Sequence, residues 1–371
     1  MKGNKGVSIA AVVITMVFVF TLMASGLPQR AISAVTIDGT KYSIAQYHLY
    51  YYNEYYDFLT EHSGEDLTEM GLYTNSRLHR QESPYGMTWD EYFKTGAIDK
   101  MVERTVLCNA AEEAGYSLSE EGQEKLQEEH SGVQAATAAS GLNKEQDYLQ
   151  HLYQPGVTVD SYYEEFERGL LADEYKQKLI KEEFTPTEQE VQERADQSES
   201  GDAYTADLLV IKLTAPTDRY SEVLEDRQTN NLKTRTENIM SAFEKNTASV
   251  KAQISSDAVS ADASQEAFQV LVNNFSEEES ETGGLHEGVR TGDYSDNVDQ
   301  WLSGDRQAGD TFVDITDDGE AYIFYYVKKG EQEKIIDARE ALIDEAYNSW
   351  LEEKKANVAV SENEIGLRIA R

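Results

Sequence analysis

The chain has 371 residues, 40% hydrophobic and 27% charged, enough apolar material for real cores and too much for wholesale disorder. Its 69 acids against 33 bases give a formal net charge of −36, a field that repels nucleic acid and anionic headgroups and excludes nucleic-acid binding as a role. A single cysteine, Cys108, rules out an intramolecular disulfide and a cysteine-built zinc site, and the length suggests two folded units with an N-terminal extra.

The chain opens on "MKGNKGVSIAAVVITMVFVFTLMASG". No residue from Val7 to Gly26 is charged, a run long enough to cross a hydrocarbon core of about 30 Å. The expectation is a transmembrane anchor, with Lys2 and Lys5 on the cytoplasmic side and the bulk of the chain extracytoplasmic. A cleaved signal peptide competes, since Ala24, Ser25 and Gly26 are small.

Next comes "AVTIDGTKYSIAQYHLYYYNEYYDFL". Val35 and Ile37 alternate as in a strand, Asp38-Gly39 turns, and Ser43 with Gln46 fits a capping box at a helix start. Tyr47, Tyr51, Tyr55 and Phe58 recur at helical spacing, and Tyr50, Tyr52 and Tyr56 widen the stripe. Such a face packs into a core, or some of its tyrosines line a peptide-binding groove, because tyrosine gives large contact area at low entropy cost. Residues 61–86 read as a long polar loop. Thr88 and Glu91 box the start of a helix that ends at Gly115; Cys108 lies on its apolar face, as a small core residue. Further helices are expected from Ser119 to about Ala139, from Asn143 to near Gly156, after Thr158, and at Thr185-Pro186, where proline suits the first helical position. Leu118, Leu126, Leu142, Leu149, Leu152 and Phe166 are core candidates by periodicity.

From Ala203 the pattern changes. "AYTADLLVIKL" and "EAYIFYYVKK" read as strands. Between them lie a polar helical stretch (Tyr220 to Lys251), an Ala/Ser/Asp-rich link, the acidic loop "FSEEESETGGLHEG" and a helix near Tyr294 to Leu302. A last amphipathic helix, "KIIDAREALIDEAYNSWLEEKKANV", presents Ile336, Leu342, Ile343, Tyr347, Trp350 and Leu351 on one face, which suits packing on the N-terminal helices.

This order resembles the extracytoplasmic foldases of the SurA and PrsA kind. "VTIDGTKYSIAQYHLYYY" is similar to the opening of the SurA-like N-terminal domain, where a V-x-G-x-x-I-S turn leads into the first helix. "TADLLVIKL", "FSEEESETGGLHEGVRTGDYSDNVDQWL" and "AGDTFVDITDDGEAYIFYYV" resemble, in order, the pieces of a parvulin-type prolyl isomerase domain. The resemblance implies an α+β protein: a transmembrane anchor or signal over residues 1–30, a mostly helical chaperone module over 31–200, a parvulin-like domain over 201–331, and a C-terminal helix and tail over 332–371 that pack back on the helical module. It implies unfolded or newly exported polypeptides as partners, a membrane contact through the N-terminal helix, and no cofactor.

The residues of the isomerase pocket are another matter. Position by position, the first-strand histidine of that family is Asp207 here, its cysteine or aspartate Glu278, its methionine Tyr294, its phenylalanine Val298, and its last-strand histidine Ala321, or Tyr322 if that strand shifts by one. Rotation about a prolyl amide, whose barrier is about 18–20 kcal/mol, needs an apolar seat for the ring more than a nucleophile. Asp207, Glu278 and Tyr294 make that seat polar, so the expectation is a chaperone with weak or no isomerase activity. An active isomerase with a nonstandard pocket, or a non-catalytic envelope assembly subunit, are the alternatives. Tyr47, Tyr51 and Tyr55 are the candidate peptide-binding residues. His286 reads as a neutral loop histidine, the acids Glu277 to Glu281 as a solvated run, and "DITDDG" as a failed calcium loop, because its twelfth position is Tyr325.

Overall fold

A computed structural model describes residues 25–198, 201–215, 225–253, 261–278, 282–317 and 319–370. Its elements run α1 (Leu27–Ala31), β1 (Ser33–Ile37), β2 (Thr40–Ser43), α2 (Ile44–Glu61), α3 (Gly64–Glu69), α4 (Trp89–Glu113), α5 (Glu120–Ala139), α6 (Glu145–Tyr153), α7 (Val159–Glu182) and α8 (Glu188–Ala195). They continue with β3 (Tyr204–Thr214), α9 (Glu225–Gln253), α10 (Ala261–Phe275), β4 (Leu285–Val289), α11 (Asp296–Leu302), β5 (Thr311–Ile315), β6 (Glu320–Gln332), α12 (Glu333–Lys355), β7 (Val360–Glu362) and α13 (Glu364–Ala370). The expected transmembrane helix is corrected. Among the described residues no helix is long and apolar enough to cross a membrane, and residues 1–24, which hold most of the apolar run, lie outside them. The single-pass membrane placement falls with it.

The described residues form two compact units, one from those up to 185 together with 343–370 and one from those within 186–342. In the first, Asp38 and Gly39 both take positive φ, 48° and 79°, the backbone of a tight hairpin turn whose twist matches its strands. Ser43 then caps α2, its hydroxyl accepting from the Gln46 N–H while the Gln46 side chain accepts from the Ser43 N–H. The aromatic face of α2 goes inward: Tyr47, Tyr50, Tyr51 and Phe58 are buried. They meet Trp89 and Phe93 of α4, with Phe58 and Tyr55 edge-on to Phe93, the ring geometry that quadrupoles favour. A second cluster joins Val106, Leu107 and Ala111 of α4, Ala172, Tyr175 and Leu179 of α7, and Tyr347 and Leu351 of α12.

Several details depart from the expectation. The loop over 61–86 contains α3, started by a Ser63–Asp66 capping box, and Leu67 and Leu72 bury there. Thr187, not Thr185, caps α8, so Pro186 precedes the cap. Of the six core candidates only Leu149 is fully buried. The tail is structured: β7 pairs with β1 as the edge of a sheet ordered β2-β1-β7, and Leu367 of α13 buries against the α2 core. There the Nε2 of buried His48 lies 2.9 Å from the Ala370 carbonyl. A carbonyl only accepts, so Nε2 carries the proton, and Nδ1 is buried without a hydrogen-bond partner among the described residues.

The second unit is built on a four-stranded antiparallel sheet of order β4-β3-β6-β5. β3 is buried almost throughout, as a central strand covered on both faces must be. Leu209, Ile211, Leu213, Ile323 and Tyr325 face α9 and α10, where Phe243, Phe268 and Leu271 meet them. Leu208, Val210, Phe324 and Tyr326 face the other way, toward Val298 and Trp301 of α11. α10 replaces much of the expected irregular link; its "AFQVLVNNF" end carries the apolar residues that pack on the sheet.

Candidate functional site: a polar cleft on the sheet

The Gly283-Gly284 turn sets the geometry of this site. Both glycines have positive φ, 63° and 79°, which side-chain-bearing residues adopt at a cost. At Gly284 there is also no room, since a Cβ would lie 2.4 Å from Val272 Cγ1 and 3.0 Å from the Val210 carbonyl. The turn therefore runs tightly between α10 and β3 and delivers β4 to the edge of the sheet. Ahead of it the chain is stitched to β3. The Glu277 N–H donates to the Lys212 carbonyl at 2.8 Å, and the Glu277 carboxylate accepts from the Thr214 N–H at 2.7 Å and pairs with Arg235. Glu277 is thus anchored and not part of a solvated run; residues 279–281 lie outside the described residues.

Beside this turn opens a cleft of about 630 Å³, walled by Lys212, Glu278, Leu285, His286, Tyr294 and Tyr322 among others. The His286 ring stands between two of them. Its Nδ1 lies 3.0 Å from the Tyr294 hydroxyl and its Nε2 lies 3.3 Å from Glu278 Oε2. With the ring as a neutral imidazole, the phenol donates to Nδ1 and Nε2–H points at the carboxylate. Burial, reinforced by the negative charge of Glu278, pushes the Tyr294 phenol well above its ordinary range, so it stays a neutral donor. The ring itself packs edge-on to Phe324 and Tyr322.

Across the cleft Lys212 Nζ pairs with Glu320 at 2.6 Å, and Tyr322 donates to the same carboxylate. The Glu320 hydrogen bond, against some opposition from burial, lifts the lysine to about 12.

The positions singled out in the sequence thus divide. Glu278 and Tyr294 share the cleft. Asp207 does not line it: its carboxylate accepts from the Gly288 N–H at 2.9 Å and pairs with Lys328 at 3.0 Å, where the β3 pairing shifts register. Val298 is fully buried in the core behind the cleft. Ala321 points to the opposite face of the sheet, into the α9–α10 core. With a side-chain period of two, one residue changes the face, so Tyr322 is the residue that β6 presents. His286, set aside in the sequence, is central. Its only signal was its place directly after Gly284-Leu285, and sequence proximity to a turn does not fix a side chain's direction.

In the first unit Tyr47 and Tyr51 are core residues, yet both also line a cleft of about 470 Å³ with Leu367 and Ala370. Tyr51 donates to Asp90 at 3.0 Å, and half-buried Tyr55 packs on Phe93. Cys108 is half-buried against the α4–α7 cluster, and burial raises its thiol pKa, which leaves it a poor nucleophile. Asp314, first of the "DITDDG" acids, accepts from Ser295 and Asn297 at 2.6 and 3.2 Å. No metal-binding group of histidine, cysteine or carboxylates occurs among the described residues.

No family model matches the sequence, and no curated protein does. Solved structures to which the chain is similar include SurA-like chaperones and PrsA foldases. They include the foldase protein PrsA of Lactococcus lactis (11% identity, 92% of this chain and 98% of that one, TM-score 0.34). PrsA of Streptococcus pneumoniae (17% identity, 74% and 80%, TM-score 0.31) is another. A third is a structure described under two SurA-like chaperones of Campylobacter jejuni (8% identity, 90% and 99%, TM-score 0.29).

Proposed function

We propose that this protein is a chaperone of the foldase kind, which holds unfolded polypeptides and has little or no prolyl isomerase activity. The observation that carries this reading is the wall of the sheet cleft. Glu278, His286, Tyr294, Lys212 and Tyr322 offer hydrogen-bonding groups where a proline ring needs an apolar seat. Desolvating a carboxylate and an ammonium to seat a ring costs more than the ring's burial returns. The apolar residue matched to the family's phenylalanine, Val298, is fully buried and out of a ligand's reach. Polar walls of this kind suit the backbone of an extended chain, whose N–H and C=O groups demand partners. The tyrosine-lined cleft of the first unit supports the same reading, since tyrosine accepts varied partners.

The test uses the full chain with two assays. Aggregation of an unrelated denatured protein should be suppressed at near-stoichiometric amounts, while a cis–trans assay on Xaa-Pro peptides should run at the uncatalysed rate. Absent protection points instead to a subunit with one dedicated partner. A large catalysed rate that collapses in Glu278→Ala points to an active isomerase.

A further inference from the structure

A second cleft, of about 390 Å³, lies wholly within the first unit, between α2, α4, α5, α6 and α7. Its long wall is one stripe of α7: Tyr162, Phe166, Gly169 and Asp173. At 1.5 Å per residue that stripe is roughly 16 Å long, the reach of about five residues of extended chain. One end is aromatic. The Tyr153 and Tyr162 rings stand 5.8 Å apart, and Phe166 continues the surface 6.4 Å from Tyr162.

The charges in this cleft are unevenly matched. Its two bases are occupied. Lys100 pairs with Glu54 and Asp57 at 2.5 and 3.3 Å. Arg104 donates to the Glu165 carbonyl at 3.2 Å and stacks over Tyr50, 4.9 Å from the ring centre. The buried acid Glu165 is satisfied by Gln46 and Tyr50 at 3.2 and 2.7 Å. Two other carboxylates make no direct ion pair among the described residues, though Arg104 and Lys176 act on the charge of Asp173 from further off. Glu129 accepts only from the Tyr162 hydroxyl, at 2.6 Å, and Asp173 forms no hydrogen bond or ion pair among the described residues. A carboxylate beside ring faces attracts a cation twice, through its charge and through the ring quadrupoles.

We propose that this cleft binds a short extended segment of polypeptide through a basic side chain, with the cation at Glu129 against the Tyr153 and Tyr162 rings. The inference deepens the polypeptide-holding reading and rests on it: it names basic segments as the clients this unit selects. The net charge of −36 works in the same direction at longer range. A neutral apolar segment would desolvate both carboxylates without adding a charge partner to either.

The experiment measures anisotropy of a fluorescein-labelled heptapeptide with one central arginine, and of its twin carrying citrulline, a neutral isostere. Both are titrated with the full-length wild type and with Glu129→Gln, Asp173→Asn and Glu128→Gln. Glutamine at 129 still accepts from Tyr162, and Glu128 is an exposed acid on the same helix that does not line the cleft. The wild type should prefer the arginine peptide by about tenfold. Glu129→Gln should abolish most of that preference, Asp173→Asn part of it, and Glu128→Gln almost none. Equal affinity for the two peptides overturns the proposal. So does an equal loss in Glu128→Gln and Glu129→Gln, which would make bulk acidity the cause. If aggregation suppression persists without this preference, only the present inference fails. If the preference persists without suppression, only the chaperone reading fails.

Discussion

His286 Nδ1 and the Tyr294 hydroxyl meet at 3.0 Å across the sheet cleft, joining the edge strand β4 to the turn before α11. The bond is partly buried, and the tyrosine ring beneath it packs on Phe324 regardless of the hydroxyl. Tyr294→Phe and His286→Ala should each lower stability by about 1 kcal/mol. The double variant should cost less than the sum, with a coupling of about 0.5–1 kcal/mol. Urea unfolding of the four proteins measures this; strictly additive costs would remove the bond from the account.

The two glycines of the turn should not be equivalent. Alanine at Gly283 meets nothing closer than 3.5 Å and bears mainly the backbone cost of positive φ, about 1–2 kcal/mol. Alanine at Gly284 adds a collision with Val272 and the Val210 carbonyl, and should cost about 2–4 kcal/mol. Midpoints of thermal or urea unfolding give the order, and equal costs would mean the turn relaxes freely.

Asp207 should serve structure rather than chemistry. Asp207→Asn keeps an acceptor for the Gly288 N–H and loses a pair with a largely exposed lysine, a change within about 1 kcal/mol. Asp207→Ala strands that N–H and should cost about 1–3 kcal/mol. Neither should alter aggregation suppression when compared at temperatures where the variant is folded; a selective loss of suppression in Asp207→Asn would assign it a binding role.

His48 should make the first unit sensitive to acid. Burial lowers its pKa below the ordinary 6.5, with the Ala370 carbonyl opposing in part. The unfolded chain therefore takes up a proton at a higher pH than the folded one. The stability concerned is fully present above about pH 6.5, and is lost as pH falls from there to the folded pKa, at up to about 1.4 kcal/mol per pH unit. His48→Gln, whose amide can donate to the same carbonyl, should flatten that slope between pH 7 and 5. An unchanged slope would place the acid sensitivity elsewhere.

Local rules were enough for much of this molecule. Capping boxes at Ser43 and Thr88 start helices where the sequence places them, because a cap depends on residues three apart and on nothing distant. The apolar run "LLVIKL" is a central strand, and Asp38-Gly39 is a hairpin turn. The same rules, applied to Ser63 and Asp66, would have found α3.

The site was legible only in part. Gly283-Gly284 marks the turn, and Glu278 and Tyr294 lie near it in the chain. Which groups face one another is decided by strand register and by the close pass of the turn under Val272 and Val210. Register by one residue moves Ala321 into the core and Tyr322 into the cleft. The bulge beside Asp207 turns its carboxylate to Gly288. The direction of the His286 ring depends on Glu278 and Tyr294 on either side of it. The sequence determined the elements and the chemical stock of the cleft, since those depend on near neighbours; the tertiary structure decided which side chains meet, because pairing across strands is a long-range contact that no local pattern encodes.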